Sequence, residues 1–491
     1  MVGIENAEIK LIRRRKIKCL CVCHTSFASN AYCEHCRGNN SVGNYWGEKM
    51  SYNAIIAKID KILKHPNADK IQLSNVLGNQ VIVGLDSKEG DIGIFFPEDG
   101  QLSLEYANAN KLIGYIDETT GERKDGYFDK NRRVRCQKFR GEKSEGYFAP
   151  LSSIEFTGYN ISKFKIGDRF DKLGIIPICN KYITEGSLTY SCKNPNIGNK
   201  FKRYYNNFIR KLFPEHTDTE QIKHCINNIE KGSLVTITSK LHGTSGRLGY
   251  IQVPIKLNIF QKIVNTIFFE KREHVNYEIL VGTRRVVLGN KYIFNSKKDV
   301  FRYRIAEKLR PIISKNYIFY YEIVGYTETG KPIMNPVDIT KTKDENVIKK
   351  FPNPMIYKYG CLHGECDFYI YKITTINPDG IQEELSWNRV KRLCKENGIK
   401  HVPEIDSFIY DGNIESFSKY IEYLTEHKSI EDPIDNSHIR EGICIRVDSP
   451  DGRTKIYKNK LFLFRLLEST TKDSDAIDIE EVEDMKKEVI N

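Results

Sequence analysis

Short runs of alternating apolar and polar residues dominate the chain after residue 50. Ala54 to Ile62, Ile71 to Val76, Asn79 to Leu85 and Gly90 to Pro97 carry this pattern, and turn signals such as His65-Pro66-Asn67-Ala68-Asp69 separate them. Similar runs follow at Val134 to Phe139, Gly146 to Pro150 and Phe164 to Asp168. Many short strands at this spacing predict a small β-barrel of the OB type over residues 50–180, with a β-sandwich as the alternative.

The pattern becomes helical in the next segment, residues 181–232, which we interpret as a helical connector. Phe201 to Phe213 places aromatic and apolar residues at helical spacing, and Pro214 ends that run. Asp218 or Thr219 is a suitable N-cap for a second helix that ends near Gly232.

Residues 233–468 mix strands and helices, and the strand signals are strong enough to predict an antiparallel-sheet-rich domain. Its first strand, Ser233 to Thr238, is β-branched and alternating, and it leads into Lys240 and the turn at Gly243. The predicted class is therefore α+β, with a barrel followed by a sheet-rich domain. Residues 469–491 form an acidic tail.

Composition narrows the class of protein. The 491 residues include 76 Lys and Arg against 64 Asp and Glu, a net charge of +12, and 40% hydrophobic residues. Basic stretches with interleaved aromatics, such as Lys124 to Lys143 and Lys200 to Lys211, suit a nucleic-acid backbone, although such runs also occur on ordinary solvated faces. Without a long apolar run or a signal peptide, we expect an intracellular protein, cytoplasmic or nuclear, that is not secreted.

The first 49 residues form a basic arm that is rich in Cys and His. Within this arm a C-x-C-H pair precedes a C-x-x-C pair, so Cys21, Cys23, Cys33 and Cys36 are candidate ligands of a structural zinc ion. The alternative is a basic, disordered arm with reactive cysteines. Single cysteines in apolar stretches elsewhere indicate reduced thiols: Cys179, Cys225, Cys394 and Cys444.

Lys240 carries the candidate chemistry. A lysine held at a glycine turn can attack an α-phosphate and form a covalent nucleotide adduct, but an exposed lysine before a turn is also common. Other groups that chemistry on ATP requires follow in order. They are Thr283-Arg284-Arg285, the strand around Glu322, Asp367 to Ile373 with Tyr371, Glu441-Gly442 with Arg446, and the lysines after Thr454.

This order resembles the covalent nucleotidyltransferase superfamily of RNA ligases, DNA ligases and capping enzymes. His242, where most members have Asp, and the upstream barrel are similar to the Deinococcus-type RNA ligase family, in which an OB domain precedes the transferase domain. The likeness covers roughly Ser51 to Glu468, and Phe213 to Gln221 also resembles that family. It implies an ATP-grasp-like ligase domain, namely a nucleotidyltransferase, at residues 233–468.

The resemblance implies an ATP-dependent RNA ligase that joins 5′-phosphate and 3′-hydroxyl RNA ends. Lys240 would form a lysyl-AMP with the help of Mg²⁺ or Mn²⁺, and Glu441 would engage the metal. The implied nucleotide contacts are His242, Arg247, Arg284, Glu322, Tyr371, Arg446, Lys455 and Lys458.

Two details stay open in the sequence. Ser245 occupies the position where many superfamily members have Arg, and Arg247 lies two residues further on. The final lysine pair is met either by Lys458 and Lys460 or by Lys455, whose strand position makes it the inward-facing choice.

Two other functions fit parts of the pattern. An mRNA guanylyltransferase would use the same lysine on GTP, and a non-catalytic OB-fold RNA-binding protein would keep the barrel with an inactive transferase fold. The barrel-first order disfavours capping, and the joint presence of Lys240, Glu322 and Glu441 disfavours an inactive fold.

Overall fold

The computed structural model describes residues 52–116, 123–184, 208–216, 218–255, 275–289, 300–377 and 380–473. The chain divides into two compact units, Met1–Met50 and Ser51–Asn491, and every described residue belongs to the second. The candidate zinc ligands Cys21, Cys23, Cys33 and Cys36 lie outside the described residues. Within the described ranges, no helix is long and apolar enough to cross a membrane.

Short strands fill the region before residue 185. They are β1 (Ala54–Lys64), β2 (Ile71–Val76), β3 (Asn79–Gly84), β4 (Ile92–Pro97), β5 (Gly100–Leu102), β6 (Tyr115–Ile116), β7 (Arg123–Lys124), β8 (Arg133–Val134), β9 (Gln137–Phe139), β10 (Glu142–Ser144), β11 (Gly146–Pro150), β12 (Arg169–Phe170), β13 (Lys172–Leu173), β14 (Ile176–Pro177) and β15 (Cys179–Lys181).

Longer strands follow. They are β16 (Glu220–Gln221), β17 (Leu234–Lys240), β18 (Thr244–Pro254), β19 (Val275–Thr283), β20 (Val287–Gly289), β21 (Tyr317–Gly325), β22 (Cys366–Ile376), β23 (Gln382–Glu384), β24 (Glu404–Ile409), β25 (Gly442–Asp448) and β26 (Thr454–Lys460).

The α-helices are short and connect or cover the sheets. They are α1 (Leu104–Ala109), α2 (Val300–Leu309), α3 (Glu345–Lys350), α4 (Trp387–Glu396), α5 (Ile414–Glu422) and α6 (Phe462–Asp473). Single 3₁₀ turns occur at Leu151–Thr157, Ile161–Lys163, Ile222–His224, Ile226–Asn228 and Ile339–Thr342, and a π turn at Tyr423–His427 follows α5.

The N-terminal sheet curls upon itself. Its strand order is β11-β4-β1-β2-β3, and β12 also pairs with β1. A register shift between Ile59 and Lys61 bends β1, so that one half pairs with β4 and the other with β2. Near the far edge, Glu145 N–H donates to the carbonyl of Gln80 at 2.8 Å, which brings β3 towards β11. The result is a curled half-barrel around an apolar core.

Strands β5 to β10 and β13 to β15 form small two- or three-stranded sheets, and the strands from β16 onwards form two antiparallel-rich sheets. One has the order β16-β26-β25-β17-β24 and the other β20-β19-β18-β21-β22-β23. The chain passes from β17 in the first sheet to β18 in the second through residues 241–243. Lys240 therefore lies at the end of a strand where the two sheets meet. The mixed, sheet-rich α/β class matches the expectation from the sequence.

The predicted second helix of the connector is wrong. Residues 208–212 are helical, but β16 and two 3₁₀ turns replace a helix between Asp218 and Gly232. Glu220 and Gln221 pair in parallel with Tyr457 and Lys458 of β26, and this tertiary pairing uses backbone groups that a helix would have satisfied internally.

Candidate active site

Lys240 is held in place by a turn that only glycine fits. A Cβ atom at Gly243 would lie 2.4 Å from the carbonyl oxygen of Ile323 and 3.0 Å from Cγ of Glu322. The missing side chain lets the turn approach β21 closely. Behind the turn, the buried Arg302 donates to the carbonyl of Ser245 at 2.7 Å and to Oγ1 of Thr244 at 2.8 Å. The lysine therefore projects from a supported strand end.

Glu441 is the centre of charge in the site. Its Oε1 lies 2.9 Å from Nζ of Lys240 and 3.3 Å from Nζ of Lys460. Burial acts to raise the pKa of Glu441, but the two ammonium groups outweigh it and hold the pKa below its usual value. For Lys240, burial acts to lower the pKa, but the surrounding acidic groups, Glu441 foremost, together outweigh it and raise the pKa. The nucleophile is thus protonated in the nucleotide-free protein.

His242 lies beside this pair as a neutral imidazole. Its Nδ1 is 3.9 Å from Oε2 of Glu441, and its ring packs edge-on against Tyr357 at 4.6 Å and Phe464 at 4.8 Å. Burial lowers the pKa of His242. Its side chain can therefore shape the pocket and offer a hydrogen bond but adds no charge.

The structure separates the lysines of the last motif. Lys458 pairs in register with Cys444, and Lys460 pairs with Gly442, on the face of the sheet that carries Lys240. Lys455 is exposed and alternates with them on the other face, next to Val447 of the apolar core. This placement corrects the choice of Lys455 as the inward-facing residue.

Lys458 is electrostatically unusual. Burial together with the nearby Lys460, Lys240 and Arg284 lowers the pKa of Lys458 to about 8. An anionic ligand that approached this cluster would relieve the repulsion among the cations. The position is therefore suited to a phosphate group.

Arg446 shares this face but is already engaged. Its guanidinium lies 2.6 Å from Glu384 and 3.0 Å from Asp448, and it also donates to the carbonyl of Leu385 at 3.1 Å. The structure therefore ties Arg446 to the second sheet and does not turn it towards Lys240.

Arg247 is engaged by backbone carbonyls. It is 1% exposed and donates to the carbonyls of Thr283 and Phe213 at 2.8 Å each and to the carbonyl of Pro214. Its role in this structure is to hold the segment before Glu215 on the sheet. The assignment of Arg247 as a nucleotide contact stays a prediction.

Three more predicted residues lie in or next to the second sheet: Glu322, Tyr371 and Arg284. Oγ of Ser245 donates to Glu322 at 3.3 Å, and the imidazole of His216 lies edge-on to the Tyr371 ring at 5.3 Å. Arg284 pairs with Asp218, and His216 N–H donates to the carbonyl of Arg284 at 3.1 Å. The segment before β16 therefore covers Tyr371 and connects it to Arg284.

Several residues of the site were missed by sequence reasoning. Glu468 lies 2.9 Å from Lys460, although the sequence suggested only the start of an acidic tail there. The hydroxyl of Tyr359 accepts a hydrogen bond from the backbone N–H of His242 at 2.6 Å, yet its motif, KYG, carries no familiar signal. Only the spacing of Lys458 and Lys460 pointed to Lys460 in advance.

One buried oxygen of the site is suited to a divalent cation. Oε2 of Glu441 is buried and has no hydrogen-bond partner in the structure. Within the described ranges, no group of three or more His, Cys, Asp or Glu side chains could enclose a metal. Mg²⁺ commonly binds through one or two carboxylates, with waters and substrate phosphates as its remaining ligands, and Glu441 fits that mode.

Known proteins share the fold of this chain and, over its second half, a sequence family. Solved structures of a Naegleria gruberi RNA ligase share its fold: a lysine-to-methionine mutant with AMP and Mn (TM-score 0.53, 19% identity, covering 85% of this chain and 99% of that one) and an apo aspartate-to-alanine mutant (TM-score 0.52, 20% identity, covering 87% and 100%). A search of curated proteins gives no match. The RNA ligase family model matches residues 233–486, more than half of the 491. The chain therefore belongs to the RNA ligase family.

Proposed function

We propose that this protein is an ATP-dependent RNA ligase that seals 5′-phosphate and 3′-hydroxyl ends through a lysyl-AMP on Lys240. The observation that carries the proposal is the pairing of Lys240 with Glu441, 2.9 Å apart, on a sheet face that also presents Lys458 and Lys460. A nucleophilic amine beside a carboxylate and two further cations is the set that nucleotidyl transfer needs.

ATP is the nucleotide in this proposal. Two mutants of the Naegleria gruberi RNA ligase were solved with AMP and Mn and with ATP and Mn, respectively. In this chain, Tyr371 and the His216 ring at 5.3 Å would hold adenine, and Arg284 and Glu322 would contact the ribose. Lys458 and Lys460 would bind phosphate oxygens.

Lys240 must lose its proton before it attacks phosphorus, and its surroundings supply a route. Apart from Glu441, the strongest influences on its pKa are burial and Lys460, and both lower it. Bound Mg²⁺ or Mn²⁺ would supply charge neutralisation on the phosphates, and Glu441 is the residue that would hold it. A Glu441 carboxylate engaged in this way would no longer stabilise the ammonium form of Lys240, and the amine would become available.

The proposed reaction has three steps. The Lys240 amine forms a P–N bond to the α-phosphorus of ATP, and pyrophosphate leaves. An RNA 5′-phosphate oxygen then displaces the lysine and takes the AMP. A 3′-hydroxyl finally attacks that 5′-phosphorus, forms the phosphodiester and releases AMP.

We further infer that residues 50–180 are an OB-type barrel that presents the RNA ends, as in the Deinococcus-type RNA ligases. The curled sheet and an aromatic surface support this inference: the Tyr127 ring stacks on Phe139 at 6.1 Å and lies 5.5 Å from Tyr147. Exposed cations, Lys138 and Arg140, flank these rings. Aromatic rings with cations beside them are typical of single-strand binding surfaces.

Labelling the protein with α-³²P nucleotides tests the central proposal. Incubation with labelled ATP and Mg²⁺ or Mn²⁺ should leave label on the denatured protein, and Lys240→Ala should abolish it. Label from GTP instead would support a guanylyltransferase, and no label from either nucleotide would support a binding protein. Labelling of Lys240→Ala would contradict the choice of nucleophile. Joining of nicked and single-stranded RNAs with defined ends then tests the substrate.

The cysteine-rich arm remains a separate proposal. We propose that Cys21, Cys23, Cys33 and Cys36 bind one structural zinc ion, on the spacing of the ligands alone. Metal analysis of the full chain should find zinc, and Cys33→Ser should remove it. Purified protein without zinc would reject the site.

A further inference from the structure

The turn that carries Lys240 is supported by a residue that no motif of the sequence indicates. Tyr359 lies far along the chain, in a loop before β22, and its hydroxyl accepts the backbone N–H of His242 at 2.6 Å. His242 is two residues from Lys240. The hydrogen bond therefore fixes the backbone of the turn from outside both sheets.

Tyr359 is itself held in an uncommon conformation. Its φ of +50° lies in the left-handed region, which bulky side chains rarely adopt. Two side chains of the loop before Glu441 keep it there: Nε2 of His438 accepts the Tyr359 N–H at 3.4 Å, and Asp435 accepts the Gly360 N–H at 2.7 Å. Such a strained position persists only when its surroundings determine it.

The positions of the hydrogen atoms on His438 and Tyr359 are also defined. Nδ1 of His438 lies 3.0 Å from the carbonyl of Ile439, so Nδ1 carries the hydrogen and Nε2 is left to accept from Tyr359. Burial raises the pKa of the Tyr359 hydroxyl, and the Asp432 carboxylate raises it further, so the phenol stays protonated. The hydroxyl of Tyr359 therefore keeps its proton while its oxygen accepts from His242.

We propose that Tyr359 is a positioning residue that aims Lys240 at the α-phosphate through the backbone of His242. The inference rests on the proposed function, because it assigns Tyr359 to the step in which Lys240 is the nucleophile. The hydrogen bond of Tyr359 to the turn is made with a backbone group of His242, so a substitution at Tyr359 leaves every side chain assigned to the nucleotide in place. Its removal should therefore slow lysyl-AMP formation without weakening ATP binding.

Tyr359→Phe is the test, because it deletes the acceptor and keeps the ring. Rates of lysyl-AMP formation in a single turnover should fall about 10- to 100-fold, the cost of misaligning reacting groups. The ATP concentration at half-maximal rate should stay within about twofold, since the substitution leaves the side chains assigned to ATP in place. Joining of RNA that is already adenylylated at its 5′ end should be largely retained, because that step does not use Lys240 as the nucleophile.

Tyr106→Phe is a matched control. Tyr106 is fully buried in the half-barrel, and its hydroxyl donates to Ser153 at 2.9 Å. This substitution also deletes one buried hydroxyl hydrogen bond, so the two variants should have similar melting temperatures. Only Tyr359→Phe should lose the first step.

The outcomes separate the inference from the proposed function. A wild-type rate in Tyr359→Phe, or equal loss in lysyl-AMP formation and in joining of adenylylated RNA, overturns the positioning role. Absence of label on the wild-type protein overturns the proposed function instead. If Tyr359→Phe does not fold, Asp435→Ala removes the support of Gly360 and should show the same selective loss to a smaller degree; a wild-type rate there also counts against the inference.

Discussion

At the scale of single residues, the site depends on one carboxylate shared by two lysines. Glu441 is 2% exposed and neutralises both Lys240 and Lys460, which are themselves mostly buried. A buried carboxylate without partners is costly, and so are two ammonium groups without a carboxylate. The charges of the site are thus part of its stability as well as its chemistry.

Substitution of Glu441 should be more costly than substitution of the nucleophile. Glu441→Ala should lower the free energy of unfolding by about 2–3 kcal/mol, because it removes the carboxylate beside Lys240 and leaves Lys460 with Glu468 alone. Lys240→Ala should cost about 1 kcal/mol or less, because Lys460 still pairs with Glu441. Urea denaturation of both variants measures the difference, and equal losses would contradict the shared-carboxylate account.

Lys458 should make nucleotide binding depend on pH. Its pKa of about 8 means that its positive charge is present below pH 8 and lost as the pH rises through that value. Binding of a non-hydrolysable ATP analogue should therefore weaken between pH 7 and pH 9, with an inflection near 8. Lys458→Arg keeps its charge throughout and should flatten that part of the profile. Calorimetric titration makes the comparison, and an unchanged inflection in the arginine variant would assign it to another group.

At the scale of elements, the alternation of apolar and polar residues predicted strands well. It did not reveal which strands pair with one another. Ile71–Val76 and Gly146–Pro150 form strands with the expected bounds. The sheet face occupied by Lys455 depends on the register of β26 with β25. The absence of a helix between Asp218 and Gly232 depends on the pairing of β16 with β26. Neither pairing leaves a local signal. Likewise, the motifs located Lys240 and Glu441, but Tyr359 reaches the turn across 117 residues.

The turn between β17 and β18 should tolerate no side chain at Gly243. In Gly243→Ala, the new Cβ would meet the Ile323 carbonyl, so the turn or β21 must shift. We expect the rate of lysyl-AMP formation to fall about 100-fold, together with a loss of about 1–3 kcal/mol in stability.

Gly452→Ala is the control for that experiment. Gly452 lies in the β25–β26 connection at a φ of +83°, and its Cβ would meet nothing within 4 Å. The backbone strain should cost about 1 kcal/mol of stability and leave the rate unchanged. A similar drop in rate for both variants would mean that general destabilisation, and not the turn, controls the reaction.

At the scale of the whole molecule, α6 links the half-barrel to the lysine cluster. This helix begins two residues after Lys460 and carries Glu468, which pairs with Lys460. Its other face meets the half-barrel, where Phe462 and Leu466 pack on Cys136 and Arg133 donates to the carbonyl of Ser469 at 2.8 Å. The surface proposed to bind RNA and the proposed nucleotide site are thus joined by one rigid element.

Arg465 of α6 should be the strongest single contact of this junction. It is 6% exposed, lies 3.0 Å from Glu98 and also pairs with the buried Glu145. Arg465→Met should lower the free energy of unfolding by about 3 kcal/mol, because two carboxylates lose a buried partner. Arg453→Met, which breaks an exposed pair with Glu230 at 3.1 Å, should change it by less than about 0.5 kcal/mol.

A double variant shows whether charge or packing is responsible for the loss of stability in Arg465→Met. Adding Glu98→Gln to Arg465→Met removes the charge of one of the two carboxylates that lost Arg465, so part of the lost stability should return. The guanidinium of Arg465 also lies 5.9 Å from the ring of Phe462, and loss of that contact would not be repaired by Glu98→Gln. Denaturation midpoints of the single and double variants decide between the two. If the double variant is as unstable as Arg465→Met, packing stabilises the junction. If it recovers part of the lost stability, the buried charges that join the half-barrel to the lysine cluster are responsible.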